Sequence, residues 1–311
     1  GSAEAMNVEP DQGGFDENAA FLKFNPAFVG LLGRNAELSA SEMQAFADFA
    51  LKLTYPPNPV RKLDQSLTPR QKRGADFYFN DIADLTLNQC NGCHVVDKKR
   101  GLFGSDGRQT LEGEAEEFKI PHLRNMYSKV GMFGRVQTGR DIPPVMNNDF
   151  MGEQIRGFGY RHDGSIDTLT NFIKGRVFLF PQGDSMRADV MQYVFAVESD
   201  MDPAVGQQAS VGAGSGADAL ARVQLLLARS QAGDCELVAK GVRAGKPRGW
   251  LARGAVFVPD RAAESGASLA QLLAGRAANE TLTFTCVPPG AGVRAGVDRD
   301  RDGVRDGDEA G

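Results

Sequence analysis

Cys90-Asn91-Gly92-Cys93-His94 decides how this chain is read. Two thiols three positions apart reach the two vinyl-derived carbons on one edge of a haem, and the residue that follows supplies an imidazole to iron. The motif points to one covalently attached haem c, with Cys90 and Cys93 as thioether anchors and His94 as proximal ligand. Two other readings compete for a CxxC pair. A zinc half-site calls for a second ligand pair, but Cys235 and Cys286 stand alone and far apart. A thioredoxin-type redox pair calls for a preceding strand and a helix that begins at the motif, whereas the pattern before Cys90 is helical.

Working outward, Thr68-Pro69 predicts the start of a helix over 69–79, with proline at its first position and Gly74, Phe77 and Tyr78 along it. A closing helix over 187–198 carries Val190, Tyr193 and Val194, and Gly74 would let the two backbones approach closely. That pairing is cytochrome c-like. Residues 1–16 are polar and Gly-rich, as a flexible arm would be, and 17–63 read as a helical segment. Its helix over 41–53 stops at the stiff connector Tyr55-Pro56-Pro57-Asn58-Pro59. A further helix is expected over 168–174. After Asp202-Pro203 the composition shifts to Ala, Gly and Arg, which puts a boundary near 204–214. Helices are then expected over 217–228 and 269–273, and strands over 236–242, 255–259 and 281–287. The expected fold class is mainly α, a cytochrome c-like haem domain over 64–203, with a small α+β domain over 215–290.

The chain has 311 residues, 41% hydrophobic and 24% charged, enough to bury a core. Lys+Arg 35 against Asp+Glu 40 leaves a net charge of −5, a poor match for a nucleic-acid partner. No apolar run approaches the ~18–20 residues that would span a bilayer.

Phe118-Lys119-Ile120-Pro121-His122-Leu123-Arg124-Asn125 and Tyr160-Arg161-His162-Asp163-Gly164-Ser165, followed by Thr168-Leu169, resemble two segments of the bacterial di-haem cytochrome c peroxidases. With the haem motif they cover about 64–198, the C-terminal haem domain of that family. The resemblance implies that segment 17–63 ends an upstream domain and that the chain is a piece of a longer protein. It also makes Arg124 a partner for a haem propionate, through a bidentate charge-assisted contact. Leu102, Phe103, Phe172 and Phe178 are expected to line the haem pocket and exclude water.

Two departures from the family stand out. It uses two haems, and this chain has one CxxCH. Its sixth ligand to this haem falls near Arg176, and guanidinium does not ligate iron. A methionine thioether suits an electron-transfer haem. Met132 is the expected sixth ligand, with Met146, Met151, Met186 and Met191 as alternatives. His122 and His162 occupy motif positions that do not bind iron in the family, and His162 reads as a hydrogen-bonding loop residue.

The tail over 291–311 contains a twelve-position Ca²⁺ loop, as in an EF-hand. Asp298, Asp300, Asp302, Asp306 and Glu309 hold the carboxylate positions, Gly303 the sharp turn, and Val304 the backbone carbonyl. Position 8 is Arg305 rather than an apolar residue. Cys235 and Cys286 are expected to form a disulfide that helps a small Gly-rich domain.

Together these features predict one-electron transfer with an unidentified redox protein, in a bacterial periplasm or outside the cell. A haem peroxidase or oxidase with an open sixth site is the rival enzyme reading. A calcium-stabilised surface interaction module is the other.

Overall fold

The structure, a computed structural model, describes residues 16–108, 119–131, 157–162, 164 and 166–309. The expected flexible arm therefore lies outside the described residues up to position 15. The chain divides into two compact units. The first comprises the chain through Tyr55 together with Leu67–Ser199, and the second Pro56–Ser66 together with Asp200–Gly311.

The first unit opens with helices α1 (Glu17–Leu22), α2 (Ala27–Gly30) and α3 (Ala40–Ala50). Ser39 and Glu42 close a capping box at the start of α3. Helix α4 (Pro69–Asn80) begins the same way: Thr68 accepts from the Gln71 N–H at 3.3 Å, while Gln71 Oε1 accepts from the Thr68 N–H at 2.8 Å. A one-turn helix α5 (Cys90–Cys93), a two-stranded hairpin of β1 (Val96–Asp97) and β2 (Leu102–Phe103), and helices α6 (Leu169–Ile173) and α7 (Asp184–Phe195) follow.

The core is built on the crossing of α4 and α7. A Cβ on Gly74 would lie 2.0 Å from the Asp189 carbonyl oxygen, so only glycine allows the two backbones to meet. Tyr78 and Tyr193 pack with ring centroids 5.0 Å apart, among Phe77, Leu123, Leu169 and Val190.

Buried Asp189 joins the two helices. Its carboxylate accepts from Arg70 Nε at 2.7 Å and Arg73 Nε at 2.6 Å. The bond from Arg73 is the largest influence holding its pKa below the ordinary value, with Arg70 adding to it. A depressed carboxylate stabilises the fold above the unfolded pKa of about 3.9 and stops doing so as pH falls through the folded value. Asp189→Asn should therefore cost about 1–3 kcal/mol at pH 7. In urea titrations the gap from the parent chain should close on acidification towards pH ~3.

The second unit carries a six-stranded antiparallel sheet of β3 (Gln208–Val211), β4 (Glu236–Arg243), β5 (Lys246–Arg253), β6 (Val256–Pro259), β7 (Ala267–Ser268) and β8 (Leu282–Val287). The strands lie in the order β3-β8-β4-β5-β6-β7. One sheet face packs Trp250, Phe257 and Phe284 with Val223 and Leu226 of α8 (Ala217–Gln231) and Leu272 of α9 (Leu269–Ala274). Cys235 and Cys286 are joined by a disulfide with Cα atoms 5.5 Å apart, inside this core. Val238 and Leu251 pack with Val297, which follows α10 (Gly292–Gly296).

This sheet overturns the expected mainly α class. Of the described residues 34% are helical and 16% strand, with a six-stranded and a two-stranded antiparallel sheet. The reason is local. The strands expected over 236–242 and 255–259 leave out β5 altogether, whereas Gly245, at φ +73°, turns a tight hairpin between β4 and β5. Pro247 tolerates its place near the strand start. The short strands β3 and β7 carry too few residues for a period to be seen. Among the described residues no helix is long and apolar enough to cross a membrane.

Candidate haem and calcium sites

Cys90 and Cys93 bracket the single turn of α5, and the His94 N–H closes it on the Cys90 carbonyl at 2.8 Å. Neither cysteine is in a disulfide, and Cys90 packs against the core of the first unit. Burial pushes the Cys90 thiol up to about 12 and raises Cys93 as well. A thioredoxin-type pair needs a lowered thiol pKa, the opposite of what this turn provides. The zinc alternative loses its second pair, because Cys235 and Cys286 are bonded to one another.

His94 is held in one tautomer. Its Nδ1 lies 2.9 Å from the Gly104 carbonyl oxygen and 3.0 Å from that of Pro121. Both oxygens only accept, so Nδ1 carries the proton and the neutral ring has its lone pair on Nε2. Metal-ligating histidines are oriented by this arrangement. The Tyr78 hydroxyl donates to the His94 carbonyl oxygen, which ties the motif to α4.

The segments that carry the family resemblance converge here. Pro121 reaches His94 directly, and Leu123 N–H donates to the Phe103 carbonyl at 2.8 Å. Tyr160 Oη donates to the Met126 carbonyl at 3.1 Å, and His162 Nε2 donates to the Lys119 carbonyl at 2.8 Å. His162 is thus a hydrogen-bonding loop residue. His122 Nδ1 accepts from the Arg124 N–H at 3.1 Å, so its Nε2 donates to Tyr55 Oη, 2.8 Å away. The Arg124 guanidinium carbon sits 4.8 Å from the Tyr55 ring and 4.9 Å from that of Phe103, a cation clasped by two aromatic faces. Phe103 is buried and Leu102 partly so, while Phe172 and Phe178 pack on the core with centroids 5.3 Å apart.

The sixth-ligand choice, Met132, lies outside the described residues, as do Met146 and Met151, and so do Phe118, Asp163 and Ser165 of the two motifs. Met186 and Met191 are both on α7, where the Met191 thioether accepts from Thr170 Oγ1 at 3.3 Å. Arg176 is exposed.

In the tail, carboxylate oxygens of Asp298, Asp300 and Asp302 come within 4.8 Å of one another. Asp298 is buried and organises the loop, accepting from Arg301 N–H at 2.7 Å and Gly303 N–H at 3.2 Å. Gly303 has φ +93°, the left-handed turn that glycine supplies best. Glu309 is raised above the ordinary carboxylate value, by lost hydration first and then by Asp300, Asp306 and Asp302, whose charges it faces. The loop is fastened at its far side. Arg305 donates to the carbonyls of Pro259 at 3.0 Å and Arg261 at 3.1 Å, and Gly307 N–H donates to the Asp260 carbonyl at 2.9 Å. Arg305, the residue that departs from the loop pattern, is what anchors it to the end of β6.

Sequence reasoning did not find the Gly104 carbonyl, Tyr78 as a brace for His94, or the Tyr55–His122–Arg124 stack. A backbone acceptor leaves no compositional trace. Comparison of the chain with known protein families, curated proteins and solved structures finds no match.

Proposed function

We propose that this protein is a c-type cytochrome that passes single electrons through one covalently attached haem, in the manner of the C-terminal haem domain of di-haem cytochrome c peroxidases. The observation that carries the reading is His94. It follows two part-buried, unbridged thiols on one helical turn, with Nδ1 committed to two carbonyl oxygens and its lone pair on Nε2. The donor set fits a haem: Cys90 and Cys93 would anchor it, and His94 would ligate iron. A bound haem supplies reversible one-electron chemistry at iron. The chain's part is to fix the imidazole through Gly104, Pro121 and Tyr78, and to keep water out with Phe103, Phe172 and Phe178. Arg124, held between Tyr55 and Phe103, would meet a propionate.

The calcium reading is supported by the twelve-position spacing, the convergence of Asp298, Asp300 and Asp302, and the anchoring of both loop ends. Its role is structural, tying the tail to the sheet. Covalent haem, a disulfide and a calcium loop together suit an oxidising, calcium-replete compartment, the bacterial periplasm or exterior. The partner is then another redox protein.

Absorption and EPR spectra of the oxidised and reduced holoprotein test the reading. An electron carrier gives a low-spin spectrum with a sulfur-to-iron band, lost in Met132→Ala if that thioether is the ligand and in Met186→Ala or Met191→Ala if it is one of the two on α7. A high-spin spectrum that responds to peroxide would instead favour the enzyme reading, which the exposed Arg176 at the family's ligand position supports.

A further inference from the structure

Beside the calcium loop lies a cleft of about 430 Å³, walled by β4, β5, α10 and the tail. Four cations line it: Lys240, Arg248, Arg294 and Arg299. Their partners differ. Arg248 is buried and fully engaged, with Nε 2.6 Å from Asp260 and a two-pronged contact to Glu264 at 3.0 and 2.8 Å. Lys240 Nζ is 3.5 Å from Asp306 Oδ2. Arg294 and Arg299 are exposed, and among the described residues neither guanidinium makes an ion pair.

The remaining acids of the cleft are Asp306 and Glu309, positions 9 and 12 of the calcium loop. A cation seated in the loop draws both carboxylates into its coordination. Lys240 then loses its counter-ion, and three cations face the cleft with no acid left to balance them. Without the metal, the same two carboxylates oppose any anion that enters.

We infer that this cleft binds a divalent oxyanion, a sulfate or phosphate-ester group, and does so when calcium occupies the adjoining loop. Two guanidiniums and an ammonium around a small cavity suit such a group, since arginine presents paired donors to its oxygens. The proposal rests on the calcium reading. Linkage makes it reciprocal: calcium raises oxyanion affinity by the same factor as oxyanion raises calcium affinity.

The test is calorimetric titration of the full chain at fixed ionic strength, with sulfate and phenyl phosphate in parallel, in calcium and in a calcium chelator. Tighter binding of either probe in calcium, by about tenfold or more, supports the proposal and names the head group. Arg294→Ala/Arg299→Ala should remove that binding, while calcium alone binds at least as tightly as before, because the loop loses the positive charge of Arg299. Both residues are exposed, so the fold should survive the change. Equal affinity with and without calcium, or undiminished binding in the double variant, overturns the proposal and leaves the calcium loop standing. Failure of calcium to bind in a titration with calcium alone overturns both.

Discussion

Alanine at both Cys90 and Cys93 is expected to abolish covalent haem completely, so that acid–organic extraction strips every trace of haem absorbance from the protein. The effect is all or none because the thioethers are the only covalent link the account allows. The remaining pair of cysteines cannot substitute, being joined to each other in the core of the second unit. Cys235→Ser/Cys286→Ser should accordingly leave haem content unchanged while destabilising the second unit by about 2–4 kcal/mol. His94→Ala should separate anchoring from ligation: the thiols remain, but the low-spin spectrum is lost. Haem content per chain after extraction, measured as the pyridine complex, checks both cysteine pairs, and the absorption spectrum of the untreated His94→Ala protein checks the third.

The second large effect concerns Gly74. Replacement by valine puts a branched side chain where the Asp189 carbonyl oxygen would lie 2.0 Å from its Cβ and Val190 N 2.9 Å away. Both obstacles are backbone, so α4 and α7 must separate along their whole contact. A cost of about 3 kcal/mol or more follows from overpacking at such a site. At roughly 2–4 °C per kcal/mol for a unit of this size, the first unit should melt at least about 6–12 °C earlier. The second unit has its own core, so its calorimetric transition should keep its place. Gly30 supplies the control, since nothing stands within 4 Å of a Cβ there. Gly30→Ala should change the melting point by no more than a degree or two.

Gly74 also shows why part of the structure is legible in the sequence. A glycine midway along an amphipathic helix weakens that helix unless something needs the space, and a second aromatic-bearing helix offers the reason. The capped start of α4, the helix α8 and the strands β4, β6 and β8 could be read for a similar cause: each carries a period or a cap within its own few residues. The sheet's extent could not. Gly245 and Pro247 look like punctuation whether they join two loops or one tight hairpin, and only pairing with Arg243 and Val242 across the turn decides it. At the haem motif, spacing alone gives the thiols and the imidazole. What holds His94 in place comes from Gly104 and Pro121, one of them a backbone position without a side chain. In the tail, the carboxylates are visible as a pattern. The anchoring by Arg305 is not, because it depends on carbonyls more than forty positions away.

The electrostatics of the two sites differ in kind. The His94 imidazole itself is held by neutral groups, the carbonyl oxygens of Gly104 and Pro121, which suits a centre that must keep water away. Around the tail the chain gathers charge of both signs, which suits a site governed by ions.

The most direct measurement is the intact mass of the denatured chain after expression alongside a c-type haem maturation system. A c-type cytochrome gives one species, heavier than the polypeptide by a single haem, with the added mass absent when both Cys90 and Cys93 are alanine. A chain of unmodified mass, or one that carries haem only until it is denatured, would contradict this reading.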